Sequence, residues 1–240
     1  MAARLIVALD VPDAERAERL VDSLYELDLI FKVGMEAFYG YGERILDYLE
    51  SRDVRHFIDL KLFDIPRTVA AAMKHLVRHG THITCVHALG GNDMMRAAVD
   101  AAYERAAELA MAPPQVFAVT VLTSIAPEDF NELGFQGGPA ENAMRLAALA
   151  RDAGCDGVIC SAREVRDLKR FFGEDFLTLT PGIRPTGSAH ADQKRVTTPA
   201  QAVESGADYL VVGRPIVESD DPLQSTEAIL EEMRASSPAP

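Results

Sequence analysis

Residues 57–68 read FIDLKLFDIPRT, and this stretch decides how the rest of the chain is interpreted. It begins as an apolar strand, and because side chains alternate between the two faces of a strand, Asp59 and Lys61 are predicted to point the same way. Asp64 follows in the turn before Pro66, whose fixed φ and missing N–H suit the first position of a helix. Taken alone, such a pair is typical of a surface ion pair contributing roughly 0 to 1 kcal/mol. The sequence on both sides of this stretch favours a functional role for the pair.

The same unit recurs along the chain: a short apolar run and then a stretch of helical periodicity, which predicts β–α units and a parallel sheet. Strands are predicted at residues 5–9, 30–33, 57–60, 83–87, 116–122, 157–160, 177–180 and 209–212. Helices are predicted at residues 14–27, 37–51, 66–79, 93–109, 141–153, 162–172, 199–205 and 223–233. These units close most economically into an α/β protein of the (β/α)₈ TIM barrel type. An open doubly wound sheet is the alternative, but the first turn, ALDVPDAE, lacks the G-x-G-x-x-G fingerprint of nucleotide-binding sheets.

Length and composition fit one soluble domain. The chain has 240 residues, of which 48% are hydrophobic, enough to build the core of one barrel. A single barrel domain is predicted over residues 1–235, followed by a disordered tail over residues 236–240. An aspartate closes the first apolar run and no small-residue cleavage site follows, so no signal peptide is predicted. No stretch has the roughly 20 apolar residues that span a bilayer.

Charge and cysteine content exclude several classes of protein. The formal net charge of −13, from 37 acidic and 24 basic residues, lacks the basic footprint of a nucleic-acid-binding protein. Cys85, Cys155 and Cys160 are odd in number and lack the paired spacing of zinc or redox sites. We therefore expect buried, reduced thiols in a cytoplasmic protein that has neither a nucleic-acid nor a membrane partner.

Polar residues gather at the predicted carboxyl ends of the strands, where barrel enzymes build their active sites. Charges inside apolar strands are costly unless they are paired or face water. The residues at these ends are Asp10, Lys32, Asp59, Lys61, His87, Thr123, Ser124, Arg184, Gly213 and Arg214. Taken singly, Lys32 and His87 each also fit a structural role, and for His87 that interpretation fits as well as a functional one.

The loops after the seventh and eighth strands predict a phosphate site. Gly182 and Gly213 allow backbone N–H groups to approach an anion, while Arg184 and Arg214 supply bidentate charge. The alternative is a pair of helix-capping glycines beside surface arginines. Two such loops in the positions where barrels bind phosphate favour the phosphate site.

A long polar segment, RPTGSAHADQKRV, separates these two loops. A connection of this length is uncommon without a function. We expect a lid that closes over the phosphate, with Gln193 as its best candidate contact.

On the other side of the barrel mouth, Lys32, Asp59, Lys61 and Asp64 are predicted to form a row of alternating charges. The carboxylates keep both lysines protonated, and the lysines relieve repulsion between the carboxylates. Such a row suits a reaction that develops negative charge on carbon and ends in proton delivery, with Lys61 as the acid. Magnesium held by Asp59 and Asp64 is the alternative, which the intervening ammonium disfavours.

Motifs spread along the chain carry a resemblance to a known family: VALDVP, KVGMEAF, DLKLFDIPRTV, VTVLTS, GVICSA, TPGIRP and DYLVVGRP. On these motifs the chain resembles the orotidine 5′-phosphate decarboxylases of the bacterial type over nearly its whole length. The D-x-K-x-x-D motif alone indicates a superfamily that also contains sugar-phosphate decarboxylases and synthases. DIP-x-T together with LTS, TPGIR and the DQKR loop makes the resemblance specific.

The resemblance implies catalytic roles for matching residues. Lys61 resembles the acid that protonates C6 of the pyrimidine, and Asp59 resembles the carboxylate beside the departing CO₂. Asp64 is similar to the residue that the partner subunit of a homodimer contributes. With Asp64, Ile65 and Thr68 would complete the neighbouring site.

The other matching residues resemble substrate contacts. Asp10 and Lys32 resemble ribose contacts, and Thr123 lies where the family holds the nucleotide. The residues that match its phosphate grip are Arg184, Gln193, Gly213 and Arg214. The resemblance further implies conversion of orotidine 5′-phosphate into uridine 5′-phosphate in pyrimidine biosynthesis, without a cofactor or a metal. The rival interpretations are a magnesium-dependent lyase of keto-sugar phosphates and a nucleotide-binding barrel without catalysis.

Overall fold

A computed structural model describes residues 3–126, 128–185 and 197–236, with only the main chain at Asn131. Its strands are β1 Arg4–Ala8, β2 Ile30–Gly34, β3 His56–Leu62, β4 Thr81–His87, β5 Gln115–Val119, β6 Gly157–Ile159, β7 Leu177–Thr180 and β8 Tyr209–Val212. Each strand pairs in parallel with the next, and β8 pairs with β1 to close the barrel. The predicted (β/α)₈ architecture is confirmed.

Helices surround this barrel. They are α1 Ala14–Leu24, α2 Met35–Tyr41, α3 Glu43–Ser51, α4 Pro66–Leu76, α5 Gly91–Glu108, α6 Asp129–Glu132, α7 Pro139–Asp152, α8 Ala162–Phe172, α9 Pro199–Glu204, α10 Arg214–Val217 and α11 Pro222–Ala235. A 3₁₀ turn, Ala88–Gly90, precedes α5. The helix predicted at residues 37–51 is in fact α2 and α3, because Gly42 between them has φ +58° and ψ −136°, which a residue with a Cβ avoids. No described helix has the length and apolar character needed to cross a membrane.

Apolar side chains fill two layers, one inside the barrel and one between the strands and the helices. In β1, for example, Ile6 belongs to the inner cluster and Val7 to the outer one. Because both faces of each strand are covered, the strands appear in the sequence as continuous apolar runs. All three cysteines are buried and free, as predicted.

Described residues on either side of the segment predicted to be a lid are joined to each other near the carboxyl end of the barrel. The N–H of Arg184 donates to the carbonyl oxygen of Thr197 at 3.0 Å, and the N–H of Thr197 donates to the carbonyl oxygen of Gly182 at 3.4 Å. Gln193 lies outside the described residues, as do residues 237–240 of the predicted tail.

Candidate active site

The carboxyl end of the barrel encloses a cavity of about 740 Å³. It brings together side chains that are far apart in the sequence, because each one follows a different strand. The predicted site residues that line it are Asp10, Lys32, Asp59, Lys61, Thr123, Gly182, Arg184, Gly213 and Arg214.

A row of four alternating charges crosses one side of the cavity. Lys32 Nζ lies 3.1 Å from Asp10 Oδ1 and 3.6 Å from Asp59 Oδ2. Lys61 Nζ donates to Asp59 Oδ1 at 2.7 Å. We call Asp10, Lys32, Asp59 and Lys61 the charged row. The predicted row had Asp64 as a member, but within this chain the second carboxylate is that of Asp10.

The charged row sets the protonation of its members. Burial would raise the pKa of Asp59, but the charges of Lys32 and Lys61 outweigh burial and lower that pKa. Burial would lower the pKa of Lys61, but the charge of Asp59 outweighs burial and raises that pKa. Both groups are therefore charged at neutral pH, and removal of either one would leave an uncompensated buried charge.

A bulge in β3 controls the direction of Lys61. The strand pairs Ile58 with Thr84 and Leu62 with Val86, so three residues of β3 stand opposite one residue of β4. Lys61 has φ +50°, in the left-handed region, which costs a non-glycine residue roughly 1 to 2 kcal/mol. Bulges beside active sites re-aim side chains, and here the re-aimed group is the ammonium at the end of the charged row.

Gly34, the last residue of β2, leaves room for the charged row. Its φ of −86° is open to any residue. A Cβ at this position would nevertheless lie 2.7 Å from Lys32 Nζ and 2.9 Å from Asp10 Oδ1. The glycine is therefore required by the close approach of the ion pair and not by the conformation of its backbone.

Two arginines and two glycines lie at the ends of β7 and β8, across the barrel from β3. Arg184 is 9% exposed, so it is not a surface arginine. Gly182 follows β7 with φ +82°, and Gly213 follows β8. Gly182 caps no described helix, whereas Gly213 is the N-cap residue of α10. The alternative of helix-capping glycines beside surface arginines therefore does not describe Gly182 or Arg184, although Gly213 does cap a helix. Glycines beside guanidinium groups in the wall of the cavity form an arrangement that suits a phosphate.

Three of the predicted residues lie on the surface instead of lining the cavity. Asp64, Ile65 and Thr68 are exposed, and Asp64 Oδ1 accepts the N–H of Ile65 at 2.6 Å. Phe63 and Ile65 are 60% and 64% exposed. A single chain therefore presents apolar side chains and a carboxylate at the surface next to the cavity.

The sequence analysis gave no role at the site to Cys85 or Arg16. Cys85 Sγ donates to Asp59 Oδ1 at 3.3 Å. Arg16 lines the cavity from α1 and donates through Nη2 to the carbonyl oxygen of Val217 at 2.8 Å. No motif marks either residue, since a single cysteine in an apolar strand and an arginine on an amphipathic helix are ordinary structural features.

His87 lies next to the site without lining the cavity. Its Nδ1 accepts the N–H of Leu89 at 3.3 Å, and its ring centre is 5.6 Å from that of Phe63. Burial, followed by the nearby charge of Lys61, lowers the pKa of His87. This arrangement fits the structural interpretation of His87.

The carboxylates of the site face cations. Asp59 Oδ1 meets Lys61, and Asp59 Oδ2 meets Lys32. Across the part of the chain that the structure describes, no group of three or more His, Cys, Asp or Glu side chains has the arrangement of a metal site. The arrangement of the charged row thus favours carboxylates that pair with ammonium groups over carboxylates that coordinate magnesium.

Comparisons with known proteins cover almost the whole chain. The model of the orotidine 5′-phosphate decarboxylase / HUMPS family matches residues 3–229. A protein from Moorella thermoacetica named orotidine 5′-phosphate decarboxylase is 46% identical over 231 residues, which cover 96% of this chain and 92% of the relative. A protein of the same name from Nostoc sp. is 44% identical over 231 residues, covering 96% of this chain and 97% of the relative.

Solved structures agree with these relatives. The crystal structure of orotidine 5′-phosphate decarboxylase from Lactobacillus acidophilus matches with a TM-score of 0.85 and 39% sequence identity, and the match covers 96% of this chain and 99% of that chain. The crystal structure of an uncharacterized conserved protein from Geobacillus kaustophilus matches with a TM-score of 0.83 and 36% identity, over 95% of this chain and 99% of that chain.

Proposed function

Because this chain belongs to the orotidine 5′-phosphate decarboxylase / HUMPS family, we propose that it converts orotidine 5′-phosphate into uridine 5′-phosphate and CO₂. The observation that carries the proposal is one cavity with the charged row on one side and Arg184 and Arg214 on another. This arrangement suits a phosphorylated substrate whose reacting carbon becomes negative. The relatives named above carry the decarboxylase name, which favours this reaction over the sugar-phosphate chemistry of the superfamily.

The two arginines serve to anchor the substrate in this proposal. Arg184, Arg214 and the main chain of Gly213 bind the phosphate, and Gln193 joins them. Asp10 and Lys32 then contact the ribose. Thr123, which is buried and lines the cavity, contacts the nucleotide. Anchoring the phosphate in this way brings the pyrimidine to Asp59 and Lys61.

The chemistry needs electrostatic help from the protein. When the bond between C6 and the carboxylate breaks, the electron pair stays in an sp² orbital of C6, outside the π system of the ring, where resonance cannot spread it. A fixed ammonium at C6 stabilises this charge more than it stabilises the substrate, and one preorganised group of this kind contributes about 3 to 4 kcal/mol. Lys61 then transfers a proton to C6, forming the C–H bond, and the neutral amine regains a proton from solvent.

Asp59 has two roles in this scheme. It lies beside the departing carboxylate, and it keeps Lys61 protonated before the reaction, as the raised pKa of Lys61 indicates. The protein groups supply the charge stabilisation, so we propose that the reaction uses neither a metal nor an organic cofactor. A cytoplasmic location is part of the same proposal and agrees with three free, buried cysteines.

We further propose a homodimer in which Asp64, Ile65 and Thr68 complete the site of the partner chain. The exposed Phe63 and Ile65 support this proposal, because exposed apolar side chains that flank a functional site favour an interface. In an isologous dimer each site takes Lys61 from one chain and Asp64 from the other.

The activity is tested with the purified protein and orotidine 5′-phosphate. Decarboxylation lowers the ultraviolet absorbance of the substrate, and chromatography identifies the product as uridine 5′-phosphate. We expect turnover without added metal. Turnover of a keto-sugar phosphate that depends on magnesium, with no reaction of the nucleotide, would overturn the proposal.

The shared site is tested by complementation between inactive chains. Lys61→Ala and Asp64→Ala chains are unfolded, mixed in equal amounts and refolded, with each variant refolded alone as the control. Random pairing makes about half of the dimers mixed, each with one intact site, so roughly a quarter of wild-type activity should return. If the mixture forms dimers, as measured by size, but has only the sum of the residual activities of the two variants, Asp64 acts within its own chain.

A further inference from the structure

Cys85 lies in β4 directly opposite the bulge of β3. Ile58 pairs with Thr84 and Leu62 with Val86, so Cys85 alone faces the three residues between them. A bulge leaves the extra residue without a normal partner in the strand ladder. Here the side chain of Cys85 meets that part of β3.

The Cys85 sulfur contacts the carboxylate at the centre of the charged row. Its S–H donates to Asp59 Oδ1 at 3.3 Å, the same oxygen that accepts Lys61 Nζ at 2.7 Å. Lys61 itself is held at φ +50°. One oxygen atom of Asp59 therefore connects the thiol with the ammonium of Lys61.

We propose that Cys85 is a positioning residue for the decarboxylation, whose thiol fixes the Asp59 carboxylate and thereby the Lys61 ammonium; this inference rests on the proposed function. Cys85 is fully buried and does not line the cavity, so it acts through these neighbours and not on the substrate. Without the thiol, Asp59 Oδ1 keeps only Lys61 as a donor, so the carboxylate is held by Lys61 and Lys32 alone and is less tightly fixed. The phosphate contacts lie across the barrel, so substrate binding should survive.

Substitutions at Cys85 distinguish a role of its thiol in positioning Asp59 from a role of its side chain in packing the core. Cys85→Val keeps an apolar side chain but removes the donor, Cys85→Ala removes the donor without adding volume, and Cys85→Ser keeps a donor. Cys155→Val is the matched control, because Cys155 is a buried thiol of the outer core. Thermal melting checks that each variant folds.

We expect the variants that lack the donor to have a lower kcat but an almost unchanged affinity for the product. Cys85→Val and Cys85→Ala should lower kcat about tenfold, the lower end of what a hydrogen bond to a charged group contributes, while the affinity for uridine 5′-phosphate stays within about twofold. Cys85→Ser should recover most of the loss. A folded Cys85→Ala variant as active as Cys155→Val, or a Cys85→Ser variant as impaired as Cys85→Ala, would overturn the inference.

Infrared spectroscopy reads the hydrogen bond without any assay of activity. The S–H stretching band of Cys85 is identified by its loss in Cys85→Ala, and donation to a carboxylate should lower its frequency below that of Cys155. In Asp59→Asn the band should move up, because an amide accepts more weakly than a carboxylate. If the frequency of the band is the same in Asp59→Asn as in the wild type, the positioning role is refuted, even when the wild-type protein is an active decarboxylase. If the S–H frequency is lowered as expected but the protein has no decarboxylase activity, the hydrogen bond exists and the proposed function is wrong.

Discussion

Replacing Gly34 by alanine would place a methyl group against the ends of two charged side chains. The new carbon would lie 2.7 Å from Lys32 Nζ and 2.9 Å from Asp10 Oδ1, whereas ordinary contact begins at 3.4 Å, so the ammonium must retreat by about 0.7 Å. A misplacement of about 1 Å in a positioned group can cost about 100-fold in rate. We therefore expect kcat/KM to fall about 10- to 100-fold, which corresponds to roughly 1.4 to 2.7 kcal/mol of transition-state stabilisation.

The free energy of unfolding should hardly change in the same variant. The φ of −86° at Gly34 suits alanine, and the atoms in the way are the ends of flexible side chains. At compatible positions a glycine-to-alanine change even stabilises by about 0.4 to 1 kcal/mol. Gly40→Ala in α2 is the control, because its added carbon would meet nothing within 4 Å apart from its chain neighbours and the backbone of its own helix. If Gly34→Ala and Gly40→Ala had the same steady-state kinetics, the charged row would not need the space that Gly34 leaves.

Arg214→Ala should lower kcat/KM about 10- to 100-fold in steady-state kinetics, as expected for loss of a charge-assisted contact; an effect no larger than that of the exposed Arg170→Ala would argue against a phosphate contact. Treatment with a chelator should leave kcat unchanged, and a loss that magnesium restores would favour the rival lyase. Burial lowers the pKa of His56 to about 4, so as the pH falls the unfolded chain takes up a proton before the folded chain does. His56 should therefore contribute roughly 2 kcal/mol to the stability lost between pH 7 and pH 4.5 in urea unfolding. His82, whose pKa burial also lowers to about 4, should add to that loss, so equal stabilities at the two pH values would contradict the buried neutral state of both residues.

The barrel could be predicted from the sequence because its strands are covered on both faces. Apolar runs such as residues 5–9 and 209–212 are too short and too uniform for surface strands, and the periodic helices between them require parallel pairing. The break at Gly42 was missed because the residues on both sides of it keep a helical pattern. The backbone of one glycine, with φ +58°, divides the predicted helix in two.

The composition of the site was predictable, but its pairings were not. Lys32, Asp59 and Lys61 were assigned to one side of the mouth because parallel strands all end at the same face of a barrel. That Asp10 belongs to the charged row depends on the side-chain distance to Lys32, which no pattern encodes. The bulge at Lys61 could not be recognised in the sequence either, because the residue with left-handed backbone is a lysine and not a glycine. The role inferred for Cys85 depends on the register at that bulge.

The proposed reaction depends on the ammonium of Lys61, and this role is tested by measuring the turnover of Lys61→Ala together with its binding of the product. Lys74→Ala is the control, because Lys74 is a surface lysine paired with Glu104. We predict that Lys61→Ala lowers kcat more than about 1,000-fold, since it removes both the charge at C6 and the proton donor. The affinity for uridine 5′-phosphate should stay within about tenfold of the wild-type value, because the phosphate contacts remain. A fall in kcat of only a few-fold would show that Lys61 is not the proton donor.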